Sequence, residues 1–317
     1  MKKRNCIPAI VCSSLMALTA CQNESENTSF PTDLAMHVVA GIGNTTVPTG
    51  RYAGDSPNLA MFDEGDDIGI FVDDQATVQW TYTNQTWKPA RTVYWPDKEN
   101  PHAFQAFYPY TTAASPAEIP MPELKEQTGT MESVAACDFL VAETTQAYGS
   151  DGVVDFQGEG KSFRHISSLV QLTIKAGGDL NGATLTALSL EGEGLVAPSR
   201  YSFADGVSYT PDETSNRLAL DLNLSMGTAD VTYYLVVNEK TDASTTVTLS
   251  LQYTSGGQSY TATLNGLSGN VFKGGMMQRF TLSVQNLELF VTGSTISPWV
   301  EENELEDLII DAKKDEV

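Results

Sequence analysis

The sequence predicts an all-β protein built from two β-sandwich domains in series. Three observations support this prediction. Apolar and polar residues alternate along many short runs, Gly, Asn and Asp separate those runs, and no long helical pattern occurs before residue 300. A length of 317 residues is enough for about two domains.

The first 20 residues have the layout of a secretory signal peptide. A basic start is followed by an apolar run over residues 7–18, which is shorter than the roughly 20 residues that a membrane span needs. Cys21 comes directly after the small pair Thr19-Ala20, an arrangement that resembles the bacterial lipobox. We predict that residues 1–20 are removed and that Cys21 carries lipid such as palmitate. The alternative is an ordinary signal peptide with a chance cysteine.

The chain is strongly acidic, with 40 Asp and Glu against 18 Lys and Arg and a formal net charge of −22. An acidic surface repels phosphate backbones, which disfavours nucleic acid as a partner. After removal of the signal peptide, Cys137 is the one thiol besides Cys21. The sequence therefore predicts neither an intramolecular disulfide nor a cysteine-rich metal site.

Residues 21–29 are polar and predict a flexible tether. The predicted N-terminal domain, residues 30–160, begins with a strand at residues 34–42. The apolar face of this strand is formed by alternate residues, Leu34, Met36, Val38 and Ala40.

A second alternating run predicts a strand that buries Ile68, Ile70 and Val72 and turns its other face toward solvent. Residues 118–132 carry two spaced prolines, Pro120 and Pro122, and are largely polar. They predict a long loop with one helical turn.

The predicted domain boundary lies near Gly158–Gly160, and the C-terminal domain covers residues 161–317. Three alternating runs predict strands in it, at residues 170–174, 218–224 and 231–237. Residues 246–264 predict a β-hairpin with its turn at residues 255–258, because two glycines there readily adopt positive φ.

The tail, residues 301–317, is ambiguous. Helical spacing is met by Leu305, Leu308, Ile309 and Ala312. A strand would instead use fewer positions, Leu308, Ile310 and Ala312. Both structures remain open for the tail.

No residue pattern indicates catalysis. His37, His102 and His165 do not lie at ligand spacing from one another, and His165 is interpreted as a structural histidine. The chain contains no nucleophile elbow, phosphate loop, zinc-protease motif or calcium loop. We therefore predict that the protein is not an enzyme and has no catalytic, cofactor or metal-binding residues.

Aromatic residues are concentrated between residues 80 and 110, at Trp80, Trp87, Tyr94, Trp95, Phe104, Phe107, Tyr108 and Tyr110. Such a cluster can be core packing or an exposed platform on which sugars stack. The second interpretation supports an alternative function, a surface glycan-binding lipoprotein of a nutrient-uptake system.

Seven short motifs, including this aromatic region, occur in an ordered series, at residues 62–71, 94–96, 104–110, 138–142, 163–169, 274–275 and 296–299. Together with the lipobox, this series resembles the fimbrillin family of lipoproteins, the Mfa-like subunits of type V pili.

The resemblance implies two transthyretin-like β-sandwich domains, export as a lipoprotein to the outer membrane, and a place in a cell-surface fimbrium that serves adhesion. It also implies trimming by an Arg-specific protease, which removes the first strand. The opened groove would accept a donor strand from another pilus subunit.

Arg51 is the expected processing site, with cleavage before Tyr52. Residues 22–50 contain no Lys or Arg, so Arg51 is the first basic residue that the protease would meet after the lipid. Proline and glycines around it predict an exposed loop, where proteolytic nicking concentrates. The alternative is an ordinary loop arginine and a strand that stays in place, as an anchor subunit would require.

Overall fold

The computed structural model describes residues 34–43, 61–73, 75–112, 115–210, 215–240 and 244–299. The predicted sites at Cys21, Arg51 and Tyr52 and the tail after residue 299 lie outside these residues. The described part is nearly all β-structure, which confirms the predicted fold class. None of its helices is long and apolar enough to cross a membrane.

Short strands make up most of the regular structure. In chain order they are β1 (His37–Ala40), β2 (Asp67–Val72), β3 (Val78–Thr83), β4 (Thr86–Pro89), β5 (Pro101–Tyr108), β6 (Ile119–Pro120), β7 (Leu140–Ala147), β8 (Val153–Phe156), β9 (Arg164–His165), β10 (Ser168–Ile174), β11 (Thr184–Glu191), β12 (Ser199–Ser202), β13 (Gly206–Tyr209), β14 (Arg217–Ser225), β15 (Val231–Val237), β16 (Thr246–Ser255), β17 (Gln258–Ser268), β18 (Met276–Gln285) and β19 (Glu288–Pro298). A helix, α1 (Met131–Cys137), lies between β6 and β7, and 3-10 turns include Gly178–Leu180 and Gly269–Val271.

The first core lies between a six-stranded sheet and a two-stranded ladder. The sheet is antiparallel, with the strand order β4–β3–β2–β5–β7–β9, and the ladder pairs β1 with β8 in parallel. Buried apolar side chains from both fill the space between them, among them Met36, Val38, Ile42, Phe62, Ile68, Ile70, Trp80, Trp87, Trp95, Phe104, Val154, Phe156 and Phe163.

β2 is buried on both faces, so the predicted solvent-facing side is wrong. Ile68, Ile70 and Val72 belong to the first core as predicted. Phe71, on the opposite face, is fully buried, and its ring stacks on that of Phe107 with the centroids 5.6 Å apart. Apolar residues distant in sequence pack on this face, including Ile119, Phe139, Val141, Ile166 and Tyr201.

The second core lies between two four-stranded sheets, with the orders β15–β10–β18–β19 and β14–β11–β16–β17. The three alternating runs predicted as strands form β10, β14 and β15. The predicted hairpin is also confirmed: β16 and β17 are joined by Gly256 and Gly257, whose φ angles are 58° and 80°. Positive φ at both central residues is the geometry that matches the twist of a two-residue hairpin.

The segment before β7 packs against the second core, although it precedes Gly158–Gly160 in the chain. Leu124, Val134 and Cys137 are buried among the second-core residues. Burial, aided by the neighbouring Asp138 carboxylate, raises the pKa of the Cys137 thiol to about 11, so this thiol is protonated at neutral pH. The position of a domain boundary stays a prediction.

Backbone and side-chain hydrogen bonds hold this segment in place. The Thr130 hydroxyl caps α1 by accepting from the Ser133 amide at 3.3 Å. The Gln127 side chain donates to the Val236 carbonyl at 2.7 Å and accepts from the Val236 amide at 2.8 Å. The Gln127 side chain thus makes the hydrogen bonds with Val236 that a neighbouring strand would otherwise make. The sequence of this segment resembles a polar loop and does not predict this role.

Candidate functional site: the groove that holds the first strand

Backbone pairing with β8 holds the first described segment, residues 34–43, and its start also pairs with residues 93–95. β1 lies parallel to β8, in register along all four residues of each strand. Beyond β1 the pairing continues, because the Gly43 amide donates to the Phe163 carbonyl at 2.8 Å. Near the start of the segment, the Met36 amide donates to the Val93 carbonyl, also at 2.8 Å.

Alternate side chains of this segment enter the first core. Met36, Val38 and Ile42 are buried and Ala40 is half-buried, whereas Val39 between them is 36 % exposed. This pattern confirms the apolar face predicted for residues 34–42. The segment occupies its groove as an added strand does, with backbone hydrogen bonds for affinity and alternate side chains in apolar pockets.

Aromatic rings of the first core surround the end of the groove near Phe163. The Phe163 ring lies 5.1 Å from that of Phe62 and 5.9 Å from that of Phe156, and Phe62 in turn meets Trp87 at 5.0 Å. Edge-on and tilted ring contacts of this kind add to the stabilisation that burial of the rings provides. A large apolar surface would therefore face water if the segment left the groove.

At the other end of the groove, Trp95 and Gly152 hold the start of the segment. The Trp95 indole donates to the Gly152 carbonyl at 2.8 Å, and the His37 amide donates to the same carbonyl at 3.0 Å. Gly152 has a φ of 65°, and a Cβ atom on it would lie 2.8 Å from the Ala35 carbonyl oxygen. Glycine is therefore required here both for the backbone conformation and for the close approach of the first segment.

The aromatic cluster of the sequence is core packing. Trp80 and Trp95 are each 1 % exposed, and Trp87 is buried as well. A ring on which a sugar stacks must offer a face to solvent, and these tryptophans do not. The interpretation as a sugar platform built on these three residues is wrong.

His165 is a structural histidine, as predicted. Its Nδ1 lies 2.8 Å from Oδ1 of Asp138, and both side chains are buried. The ring also stacks on Trp299, with the centroids 4.3 Å apart. Trp299 directly follows β19, so this contact joins the end of the second core to β9 of the six-stranded sheet. We call it the junction contact.

His102 is likewise part of a hydrogen-bonded contact, with Nδ1 lying 2.8 Å from Oδ2 of Asp73. His37 is in β1 and exposed. Within the described ranges, no group of three or more His, Cys, Asp or Glu residues could hold a metal ion.

The predicted processing site lies between two described parts of the chain. The first segment ends at Gly43, and the structure resumes at Met61. Arg51 and Tyr52 fall in the undescribed stretch between them, and Cys21 precedes the first described residue. Sequence reasoning missed β8 as the partner of β1, although the alternation in residues 153–156 was a signal that could have identified a strand.

Comparisons with known proteins agree with this fold. A candidate cell-adhesion protein from Bacteroides uniformis is 19 % identical, with a TM-score of 0.56, and the match covers 84 % of this chain and 98 % of that one. A fimbrial protein from Bacteroides vulgatus is 15 % identical, with a TM-score of 0.52 and coverage of 84 % and 99 %. No curated protein matches the chain. The model of the fimbrillin-like family matches residues 46–299, most of the sequence, and the chain therefore belongs to that family.

Proposed function

We propose that the protein is a structural subunit of a cell-surface pilus that serves adhesion, assembled by exchange of its first strand for a strand of another subunit. It is exported as a lipoprotein, held on the outer membrane through Cys21 and trimmed at Arg51. Its partners are other pilus subunits, a signal peptidase and an Arg-specific protease. Its role is structural and not catalytic.

The observation that carries this proposal is the position of the first segment. Residues 34–43, which contain β1, form a separate segment that fills an apolar groove, and 17 residues, numbers 44–60, connect it to Met61. A single cut in that connection would leave the segment held by non-covalent contacts alone. The strand and the part of the chain that carries the lipid could then leave together.

An empty groove would be costly, which favours its refilling. Burying each of Met36, Val38 and Ile42 contributes roughly 1.5–3 kcal/mol, and the backbone groups of β8 would also lose their partners. An unpaired strand edge beside apolar pockets is a template for another chain. A donor strand with alternating apolar residues would restore both kinds of contact.

The predicted lipid can be tested by metabolic labelling. Labelled palmitate should enter the wild-type protein and be lost in Cys21→Ala, because the lipobox cysteine is the acceptor. Cys137→Ala is the matched control and should keep the label, since that thiol is buried and protonated at neutral pH. Equal labelling of wild type and Cys21→Ala would show that the cysteine follows the signal peptide by chance.

Assembly can be tested with Arg51→Ala. The variant should keep residues 34–43, remain attached to the membrane and form no heat-resistant ladder of multimers on a gel, because the groove stays occupied. Arg91→Ala removes an exposed arginine elsewhere and should polymerise normally. Full polymerisation of Arg51→Ala would contradict the proposed route of assembly.

A further inference from the structure

The strand β8 is the edge with which the first segment pairs, and in the described part of the chain no other strand pairs with it. The Gly152 and Phe156 carbonyls face the segment, because they accept from the His37 and Gly41 amides, both at 3.0 Å. Successive residues of a strand turn their backbone groups to opposite edges. The amide and the carbonyl of Asp155 therefore face away from the segment.

The side chain of Gln146, on β7, binds both of these backbone groups of Asp155. Its Nε2 donates to the Asp155 carbonyl at 2.9 Å, and its Oε1 accepts from the Asp155 amide at 3.3 Å. Nε2 also donates to the Thr144 hydroxyl at 3.2 Å, which orients the side-chain amide. Gln146 thus makes the hydrogen bonds that a neighbouring strand would make on the outer edge of β8.

Gln146 occupies a face of β7 that is apolar elsewhere. Leu140 and Ala142 are buried in the first core, and alternation places Thr144 and Gln146 on the same face, where both are half-buried. A polar side chain that leaves water is costly unless it finds partners. The two bonds to β8 supply those partners and give a reason for glutamine at this position.

The other outward amides of β8 and its end are capped locally. The Val153 amide donates to Oδ1 of Asp151 at 3.3 Å, and the Gln157 amide donates to Oδ1 of Asp155 at 2.9 Å. Each of these bonds joins residues two positions apart, so they cannot attach the strand to the six-stranded sheet. The bonds from Gln146 do attach it, because β7 belongs to that sheet.

Departure of the first segment would remove the strand neighbour of β8. Val154 and Phe156 would still belong to the first core, but the segment's Met36 and Val38 would no longer pack there. A short strand without a neighbour gains little to offset the entropy of ordering its backbone. The bonds from Gln146 do not involve the segment, so they can persist in the empty groove and keep β8 aligned.

We infer that Gln146 is a positioning residue for strand exchange, which holds β8 in the conformation that receives a donor strand while the groove is empty. The inference rests on the proposed function. A preordered edge lowers the ordering cost of binding, and a donor binds only the fraction of the protein that is competent. Without these bonds the competent fraction falls and entry slows, whereas a strand already in place keeps its own contacts with the groove.

The test uses the full chain with its groove emptied by Val38→Asp, which places a carboxylate in an apolar pocket. A fluorescent peptide with the wild-type sequence of residues 34–43 is the donor, and the same peptide carrying Val38→Asp is the negative control. Gln146→Met retains the length of the side chain but makes neither bond to Asp155. It should slow association of the wild-type peptide at least about tenfold and change its dissociation rate by less than about threefold.

Gln127→Met is the matched control. Gln127 makes the same pair of bonds with Val236, which belongs to the second core, and it is 7 % exposed. Because Gln127 is the more buried of the two glutamines, its loss should cost at least as much stability. Association of the peptide should nevertheless keep its rate. Wild-type association in Gln146→Met, or equal slowing in both variants, would overturn the inference.

A second measurement needs no change at Gln146. In the Val38→Asp chain, hydrogen exchange should find the Asp155 amide still protected when the β1 amides exchange freely. If the Asp155 amide instead exchanged together with those of β1, the inference would be wrong, whether or not Gln146→Met folds.

The proposed function fails by different results. Polymers of Arg51→Ala would contradict the route of assembly. A Val38→Asp chain that releases β1 but takes up no wild-type peptide would contradict strand exchange, and the role of Gln146 would fall with it. Normal uptake of the peptide without Gln146 overturns only the positioning role.

Discussion

Val38→Asp is expected to destabilise the uncut chain by at least about 3 kcal/mol. Val38 is 7 % exposed and belongs to the first core, so the substitution forfeits about 1.5–3 kcal/mol of apolar burial and places a carboxylate in an apolar site. We expect the first segment to leave its groove before the rest of the protein unfolds. Chemical denaturation gives the free energy, and hydrogen exchange of the β1 amides reports release of the segment.

Val39→Asp is the matched control for this experiment. Val39 is the next residue of β1 and points to the opposite, exposed side. The same carboxylate there should change stability by less than about 1 kcal/mol, a small loss that arises from repulsion by Asp155, the partner of Val39 in β8. Equal losses from both variants would contradict the assignment of alternate side chains to the groove.

Trp95→Ala is expected to lower the free energy of unfolding by about 3–5 kcal/mol, the usual cost of removing a large buried side chain. Trp95 packs against Phe104 at 4.8 Å between ring centroids, and its indole donates to the Gly152 carbonyl. Since that carbonyl also accepts from His37, the start of the first segment should lose protection as well. Such a loss is a large part of the 5–15 kcal/mol that stabilises an ordinary domain.

Trp95→Phe separates packing from the hydrogen bond. The smaller ring retains most of the apolar contact but cannot donate to Gly152, so we expect a loss of about 1 kcal/mol for the bond in addition to a small cavity cost. A glycan panel provides a second readout. Because Trp95 is buried, neither substitution should remove specific binding of a soluble sugar, and such a loss with an intact fold would revive the glycan-binding alternative.

The local pattern of the sequence was sufficient to predict many of the strands and the clearest turn. β14 buries Leu218 and Leu220, which the alternation predicts, and the glycine pair places the β16–β17 turn. The apolar face of residues 34–42 was also predictable from its alternating residues. These features depend on residues close in sequence, where side-chain period and positive φ are decisive.

Long-range packing could not be predicted from the local sequence pattern. The parallel pairing of β1 with β8 joins residues more than 100 positions apart, and no local pattern specifies it. The outer face of β2 looks solvent-facing until Phe71 meets Phe107 and a cover of residues from β6, β7 and β12. The packing of Leu124, Val134 and Cys137 on the second core was not predicted either, because it also joins residues far apart in the sequence.

The candidate site was partly predictable. The sequence indicates the apolar strand and the isolated arginine after it, but not the groove, whose pockets come from Phe62, Trp95, Phe156 and Phe163. The β18–β19 turn was missed because its central pair, Asn286-Leu287, carries no glycine signal. Exposure and φ become visible only in the folded chain.

The most direct test of the account is the N-terminus of the protein sheared from the cell surface. Edman sequencing or mass spectrometry of assembled material should find a chain that begins at Tyr52 and lacks residues 34–43, because the groove must be vacated before a donor strand can enter. Assembled protein that still begins at Cys21 would contradict the proposed exchange of the first strand.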